Sequence, residues 1–167
     1  MRERSHKKGE TYQQDVKHWL SRTGFLAFDA ELFGDAYDVT KKACTIGGLV
    51  FDFSLRLGRG DVARYILYGE CKYRDERTGN VNTDFKEFLK RVYKALSAAE
   101  ADEADSALFV FLSNLPPDDW RKYLKNRLRY CKDDLDWGPN ESTDEELLTK
   151  LTKVVHVLVL NAQIVAR

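Results

Sequence analysis

The sequence is poor in cysteine and proline and has no excess of charge of either sign. Its 167 residues include only 3 cysteines, none of them in a Cys-x-x-Cys pair, and only 3 prolines. This pattern argues against a disulfide framework and a zinc site, and it fits a reducing compartment. Lysine plus arginine number 27, and so do aspartate plus glutamate. Any surface that attracts nucleic acid must therefore be local.

Long apolar runs are also missing. No window approaches 18 uninterrupted apolar residues, and no apolar segment follows the charged N-terminal stretch as a secretory signal would require. We therefore expect a cytoplasmic protein with no membrane partner. With 43% apolar and 32% charged residues, the composition is typical of a folded globular chain of one-domain size. We expect a flexible basic arm over residues 1–8 and a single domain over residues 9–167.

The hydrophobic patterns predict alternating helices and strands. Apolar residues at helical spacing indicate helices over 10–22, 85–99 and 118–131. Alternating or β-rich runs indicate strands over 25–32, 49–57, 64–73, 107–113 and 154–161. A turn at 58–62 joins the second and third of these strands as an antiparallel hairpin. We expect a loop over 34–45, an acidic connector over 100–105, and over 133–146 a solvated loop that includes the start of a short helix. The element order predicts an α/β domain with a mixed sheet flanked by helices.

An acid and a lysine separated by one residue occur three times in the sequence. In a helix such residues point in different directions, whereas in a strand they share a face, so only Glu70 and Lys72 can act together. Closing the predicted hairpin makes Asp52 a cross-strand partner of Glu70, whereas a slip of one residue in the register would send Asp52 to the opposite face. Two close carboxylates repel unless a cation lies between them, and their oxygens suit Mg²⁺ or Mn²⁺. A lysine beside them can position a water or stabilise charge on a phosphoryl oxygen, which phosphodiester hydrolysis requires.

Asp52 on one strand and Glu70-Cys71-Lys72 on the next resemble the signature of the PD-(D/E)xK nuclease superfamily. The element order over roughly residues 9–113 is similar to its restriction-endonuclease-like αβββαβ core, to which this chain adds a C-terminal helix and strand. The resemblance implies Asp52, Glu70 and the main-chain carbonyl of Cys71 as metal ligands, and Lys72 as the residue that positions the attacking water. The side chain of Cys71 alternates to the face opposite Glu70, which predicts a buried apolar role.

The first helix departs from one feature of the family. Branches that include archaeal Holliday-junction resolvases and Mrr-type restriction enzymes also carry a glutamate in this helix, a few residues after a glycine. Here Gln13 follows Gly9 at that spacing, and Glu10 lies one turn earlier on roughly the same face. Gln13 and Glu10 are therefore the candidate contributors from this helix, and the number of metal ions stays open.

The resemblance implies that the protein is a DNA nuclease, and more specifically an endonuclease, with Mg²⁺ or Mn²⁺ as the cofactor. The helix after the motif carries four candidate phosphate contacts, Lys86, Lys90, Arg91 and Lys94. The alternative for this helix is a solvated face on which Glu87 pairs with Arg91. Since cleavage of both strands usually requires two sites, we expect a homodimer or a partner subunit such as an ATPase.

Three other interpretations compete with catalysis at this motif. Glu70 and Lys72 would also form a structural ion pair on a solvent-facing sheet surface. Residues 58–63 satisfy a loose dinucleotide-binding fingerprint, but the β-rich run after them does not supply the helix that this fingerprint requires. The main functional alternative is a catalytically inactive nuclease fold that binds nucleic acid or helps to assemble a larger complex. The zero net charge and the missing helix-one glutamate favour it.

Overall fold

Five strands form one mixed sheet in the part of the chain that the structure describes. The structure is a computed structural model, and it describes residues 8, 11–16, 18–19, 30–32, 44–56, 65–74, 80–117 and 145–160. The strands are β1 (Ala30–Leu32), β2 (Thr45–Ile46), β3 (Leu49–Val50), β4 (Phe53–Arg56), β5 (Ile66–Lys72), β6 (Ala107–Ser113) and β7 (Val155–Val159). The helices are α1 (helical residues 11–16 and 18–19), α2 (Val81–Ala98), α3 (Ala101–Ser106) and α4 (Glu145–Val154).

The large sheet has the order β1-β4-β5-β6-β7, and β2 and β3 form a separate hairpin. β4 is antiparallel to both β1 and β5, whereas β6 is parallel to both β5 and β7. The predicted α/β class with a mixed sheet is therefore confirmed. The antiparallel pairing predicted for the strands before and after residues 58–62 is also confirmed, while that turn itself lies outside the described residues. No described helix is long and apolar enough to cross a membrane.

Helices cover both faces of the sheet and define two hydrophobic clusters. The larger cluster lies between the sheet and α2, where Phe85 and Phe88 pack against Phe111 of β6. The smaller cluster lies on the opposite face, where Tyr12 and Val16 of α1 join residues of β4 and β6. Because both faces are covered, β6 is apolar at nearly every position, and its predicted bounds of 107–113 are confirmed.

The start of α2 is fixed by a capping residue. The Asn80 side chain accepts a hydrogen bond from the N–H of Thr83 at 3.2 Å, so the helix begins at Val81, before the predicted residue 85. The acidic connector over 100–105, for which the sequence pattern predicts no helix, forms most of α3. The buried Ala104 anchors α3 to the larger cluster, and the acids in its first turn favour a helix N-terminus. The predicted helix over 118–131 lies outside the described residues.

The strand predicted over residues 49–57 is wrong in one respect, because it is split at Asp52. β3 pairs with β2 across two glycines, and the N–H of Phe51 donates to the carbonyl of Cys44 at 3.0 Å. The chain bends at Asp52 before β4 begins. Phe51 consequently joins the α2-side cluster and Phe53 the α1-side cluster, although strict alternation predicts one face for both.

Gly47 allows the β2–β3 hairpin to approach α2. A Cβ at Gly47 would lie 2.1 Å from the carbonyl oxygen of Ala95, whereas a Cβ at Gly48 would meet nothing within 4 Å. Both glycines have positive φ, 53° and 75°, so alanine carries a similar left-handed penalty at either position. We expect Gly47→Ala to lower the free energy of unfolding by about 1–3 kcal/mol more than Gly48→Ala in urea denaturation. Equal losses would contradict the contact with α2.

Candidate active site

The register of β4 on β5 brings Asp52 to Glu70. Phe53 pairs with Gly69 and Ser54 with Tyr68, and the same register extended by one residue places Asp52 opposite Glu70. The Phe53 ring covers Gly69 so closely that a Cβ there would lie 1.9 Å from a ring carbon. This close packing opposes a slip of the two strands and fixes the position of Asp52.

The Asp52 carboxylate accepts the hydrogen bond from the main-chain N–H of Cys71 that a neighbouring strand would otherwise accept. Its Oδ2 accepts a hydrogen bond from the N–H of Cys71 at 2.7 Å, just where β4 no longer pairs with β5. In a strand, the N–H and C=O of one residue point toward the same neighbour, so the carbonyl of Cys71 also faces the Asp52 side. The side chain of Cys71 packs with the α1-side cluster, as alternation predicts.

Glu70 is a buried carboxylate bound by two cations. It is only 3% exposed, and its Oε1 lies 2.7 Å from Nζ of Lys72. Its other oxygen, Oε2, binds Nη1 of Arg91, which reaches over from α2. Arg91 therefore pairs with Glu70 and not with Glu87, which accepts from Lys90 at 3.5 Å instead. The pair of Glu70 and Lys72 does form, but on a face that α2 covers and not on a solvent-facing surface.

Burial and neighbouring charges set the protonation of this cluster. Burial raises the pKa of Asp52 to about 6, and the charge of Glu70 adds to the rise, while the N–H of Cys71 and the two cations oppose it. Burial alone would lower the pKa of Lys72, but Glu70 and the other nearby carboxylates raise it above its ordinary value. Lys72 therefore stays positively charged at neutral pH and is suited to stabilise negative charge, not to accept a proton.

The first helix contributes one of its two candidate residues to this region. Nε2 of Gln13 donates to the main-chain oxygen of Asp52 at 3.4 Å, so it contacts the bend that carries the acid and not the carboxylate. Glu10 lies outside the described residues. The hydroxyl of the neighbouring Tyr12 donates to the carbonyl of Leu160 at 3.0 Å, which ties α1 to the residue after β7.

A second polar cluster beside the site was missed by sequence reasoning. Arg74 makes a two-pronged ion pair with Asp84 of α2, with Nε 2.5 Å from Oδ2. The side chain of Asn114 bonds both the N–H and the carbonyl of Arg74, at 2.7 and 2.8 Å. The cluster joins the ends of β5 and β6 to the first turn of α2. The sequence signal closest to it was Asp84-Phe85-Lys86, one of the acid and lysine patterns set aside as helical.

The carboxylates suit a divalent cation, but their present partners compete with it. No group of three or more His, Cys, Asp or Glu side chains that would hold a metal occurs among the described residues, which supply Asp52 and Glu70 to the candidate centre. Oδ1 of Asp52 has no hydrogen-bond donor in the described part of the chain, and oxygens of this kind are the ligands that Mg²⁺ prefers. Both oxygens of Glu70, in contrast, already contact side-chain cations.

A scan of the sequence against protein-family models found no match. Searches of curated proteins and of solved structures also found none. The functional interpretation therefore rests on the geometry and chemistry of this site.

The raised pKa of Asp52 predicts how stability depends on pH in the metal-free protein. Because the pKa rises from 3.8 to about 6 on folding, the folded state binds the proton more tightly, so the stability present below about pH 4 is lost as the pH rises through about 6. Asp52→Asn keeps an oxygen for the Cys71 N–H and removes the charge. We expect this variant to exceed the wild type by about 1–3 kcal/mol at pH 7 and by little at pH 4 in urea denaturation with EDTA.

Asp105 provides a control of opposite sign. This exposed acid binds Lys150, whose hydrogen bond and charge lower the pKa of Asp105. Its contribution is present above the unfolded pKa and is lost at lower pH, so Asp105→Asn should be slightly less stable than the wild type at pH 7. A loss of stability in Asp52→Asn at pH 7 would contradict the assigned electrostatics.

Proposed function

We propose that this protein is a Mg²⁺- or Mn²⁺-dependent nuclease that hydrolyses DNA phosphodiester bonds, with a restriction-endonuclease-like fold of the PD-(D/E)xK type. The observation that carries the proposal is the convergence of Asp52, Glu70 and Lys72 at the end of β5, with Glu70 buried and the pKa of Asp52 raised by burial and by the charge of Glu70. A buried acid beside a second, half-buried acid and a charged lysine is costly for a fold and is typical of a functional site.

The position of the site in the sheet supports the same proposal. Glu70, Cys71 and Lys72 are the last residues of β5 and pair with the last residues of the parallel strand β6. In α/β sheets, ligand sites lie beyond the carboxyl ends of parallel strands, where the connecting chains separate. The clamp of Arg74 by Asn114 and Asp84 stiffens this end of the sheet.

Each residue has a role that follows from its contacts. Asp52 and Glu70 would hold the cation, and the carbonyl of Cys71 faces the side on which it can join them. The bound cation would supply Lewis acidity and an activated water. Lys72 keeps its charge and would orient the water or stabilise negative charge on a phosphoryl oxygen. Gln13 donates a hydrogen bond to the main chain at the bend that carries Asp52. At this position of the first helix it supplies a neutral amide, where some branches of the family have a glutamate.

The basic face of α2 is the proposed DNA contact. Lys86, Lys90 and Lys94 lie four residues apart and share one stripe of the helix, next to Arg91. Lys94 is exposed, while Lys86 and Lys90 are half-buried. Basic side chains arranged along one stripe suit the phosphates of a nucleic-acid backbone. For cleavage of both strands, the protein would act as a homodimer or with a partner subunit.

A catalytically inactive nuclease fold that binds nucleic acid is the second candidate. One observation favours it specifically: Arg91 already neutralises the Glu70 carboxylate that a metal would use. In an inactive module, such a pair would be permanent and the basic face of α2 would be the only functional surface.

Cleavage of supercoiled plasmid DNA tests the nuclease proposal. We expect nicking with Mg²⁺ or Mn²⁺ and none with EDTA. Lys72→Ala should slow cleavage by about 100- to 1,000-fold, the effect of removing one group that stabilises transition-state charge. Asp52→Asn should slow it at least as much. Lys150→Gln, which lies on α4 and pairs with the exposed Asp105, should cleave at the wild-type rate.

Two results would overturn the nuclease proposal. Equal cleavage by the wild type, Lys72→Ala and Asp52→Asn would identify a contaminating nuclease. DNA retention in a gel shift, with no cleavage under any divalent cation, would establish the binding module instead.

The salt dependence of DNA binding tests the α2 contact. With EDTA present to prevent cleavage, Lys94→Gln should reduce the slope of log K against log salt by about 0.9, because one phosphate contact is lost. Lys150→Gln removes the same charge on α4 and should leave the slope unchanged. An unchanged slope in Lys94→Gln would place the DNA contact elsewhere.

A further inference from the structure

Arg91 is the one cation of the site that comes from outside the sheet. Lys72 lies two residues after Glu70 on β5, whereas Arg91 reaches Glu70 from the middle of α2. The Arg91 side chain is 39% exposed although the carboxylate that it binds is 4% exposed. Its guanidinium thus contacts a buried oxygen and also borders solvent, so it can leave without any movement of the strand.

The charges of the site are balanced without a metal. Asp52 and Glu70 supply two negative charges when ionised, and Lys72 and Arg91 supply two positive charges. A divalent cation would add two positive charges beside a guanidinium and would need an oxygen of Glu70 that Arg91 occupies. Like charges at such distances repel strongly in a partly buried site. Arg91 and a divalent cation therefore compete for one carboxylate.

The two side-chain cations are held alike by the acids of the site. Each makes one ion pair among the described residues, with Glu70, and the charges of both act on Asp52. Lys72 also interacts with Asp84, and the Arg91 side chain is the more exposed of the two, 39% against 32%. A guanidinium released from Glu70 has a planar set of donors that matches two oxygens of a phosphate.

We propose that Arg91 is a placeholder for the metal ion, which neutralises Glu70 in the free protein and moves to a DNA phosphate when the cation binds. This inference rests on the proposed nuclease function. It follows that DNA and the metal assist each other, because a phosphate that captures Arg91 frees Glu70 for the cation, and such coupling is reciprocal. The site is loaded efficiently only when DNA is present.

Mn²⁺ binding in the absence of DNA gives the first test, with the loss of the free Mn²⁺ signal in electron paramagnetic resonance as the readout. We expect Arg91→Gln to bind Mn²⁺ about tenfold more tightly than the wild type, corresponding to about 1.4 kcal/mol. Lys150→Gln, which removes the same charge on α4, should bind like the wild type. Adding Glu70→Gln to Arg91→Gln should abolish the gain in Mn²⁺ affinity, because that gain depends on the carboxylate of Glu70 that the arginine no longer occupies.

A second measurement uses the wild-type chain and does not depend on the folding of a variant. The arginine Nε–H signals are followed by NMR during a Mg²⁺ titration, and Arg91 is assigned with Arg91→Lys. We expect the Arg91 signal to move toward that of a free guanidinium, while the signal of Arg74, held by Asp84, stays in place. An uncleavable phosphorothioate duplex should lower the Mg²⁺ concentration at the midpoint in the wild type.

The outcomes separate this inference from the proposed function. Equal or weaker Mn²⁺ binding by Arg91→Gln, with binding by the wild type intact and lost in Asp52→Asn, would overturn the placeholder role and leave the metal site standing. A stationary Arg91 signal in a protein that binds Mg²⁺ would do the same. If neither the wild type nor Arg91→Gln binds Mn²⁺ without DNA, the placeholder role fails, whereas the nuclease proposal stands or falls with the plasmid cleavage test.

Discussion

The buried charge of Glu70 is the constraint on which the rest of the structure depends. A carboxylate that is 3% exposed must be neutralised where it lies, and removing its partners would cost about 3–5 kcal/mol. Two elements meet this need from different directions, β5 with Lys72 and α2 with Arg91. The apolar side of α2 packs on the sheet, and this packing carries the arginine to the carboxylate. The packing of α2 on the sheet therefore buries the core and also supplies the positive charge that neutralises Glu70.

The position of Asp52 depends on aromatic packing a residue away. Phe51 turns into the α2-side cluster, where its ring lies 5.3 Å from that of Phe109, and its N–H bonds to Cys44 and not to β5. Phe53 turns to the opposite face and covers Gly69. Between the two rings the strand cannot continue, and the Asp52 carboxylate takes over the Cys71 N–H that a longer strand would have bonded. The site thus lies where the hydrogen-bonded pairing of β4 with β5 is interrupted, and the packing of Phe51 and Phe53 in the core causes this interruption.

Much of this arrangement follows from local patterns. The two-residue period of a strand puts Glu70 and Lys72 on one face. The bounds of β6 can be read from the sequence because its apolar run has polar residues on both sides. The split at Asp52 could not be predicted, because the alternation over 49–57 is regular and β2 is too short to carry a pattern of its own. The partner of Arg91 was hidden for a different reason. Glu87 lies one turn away on the same helix and is the partner that helical spacing predicts for Arg91. The partner that Arg91 has, Glu70, lies 21 positions away in the sequence and is brought close only by the packing of α2 on the sheet.

The hydrogen bond from Tyr12 to the carbonyl of Leu160 joins groups 148 positions apart. The residue after Tyr12 is the glutamine that steadies the bend of Asp52. While the chain emerges from the ribosome, α1 lacks this acceptor until Leu160 has been made. The hydrogen bond that ties α1 to the residue after β7 can therefore form only once residue 160 has been synthesised, long after Asp52, Glu70 and Lys72.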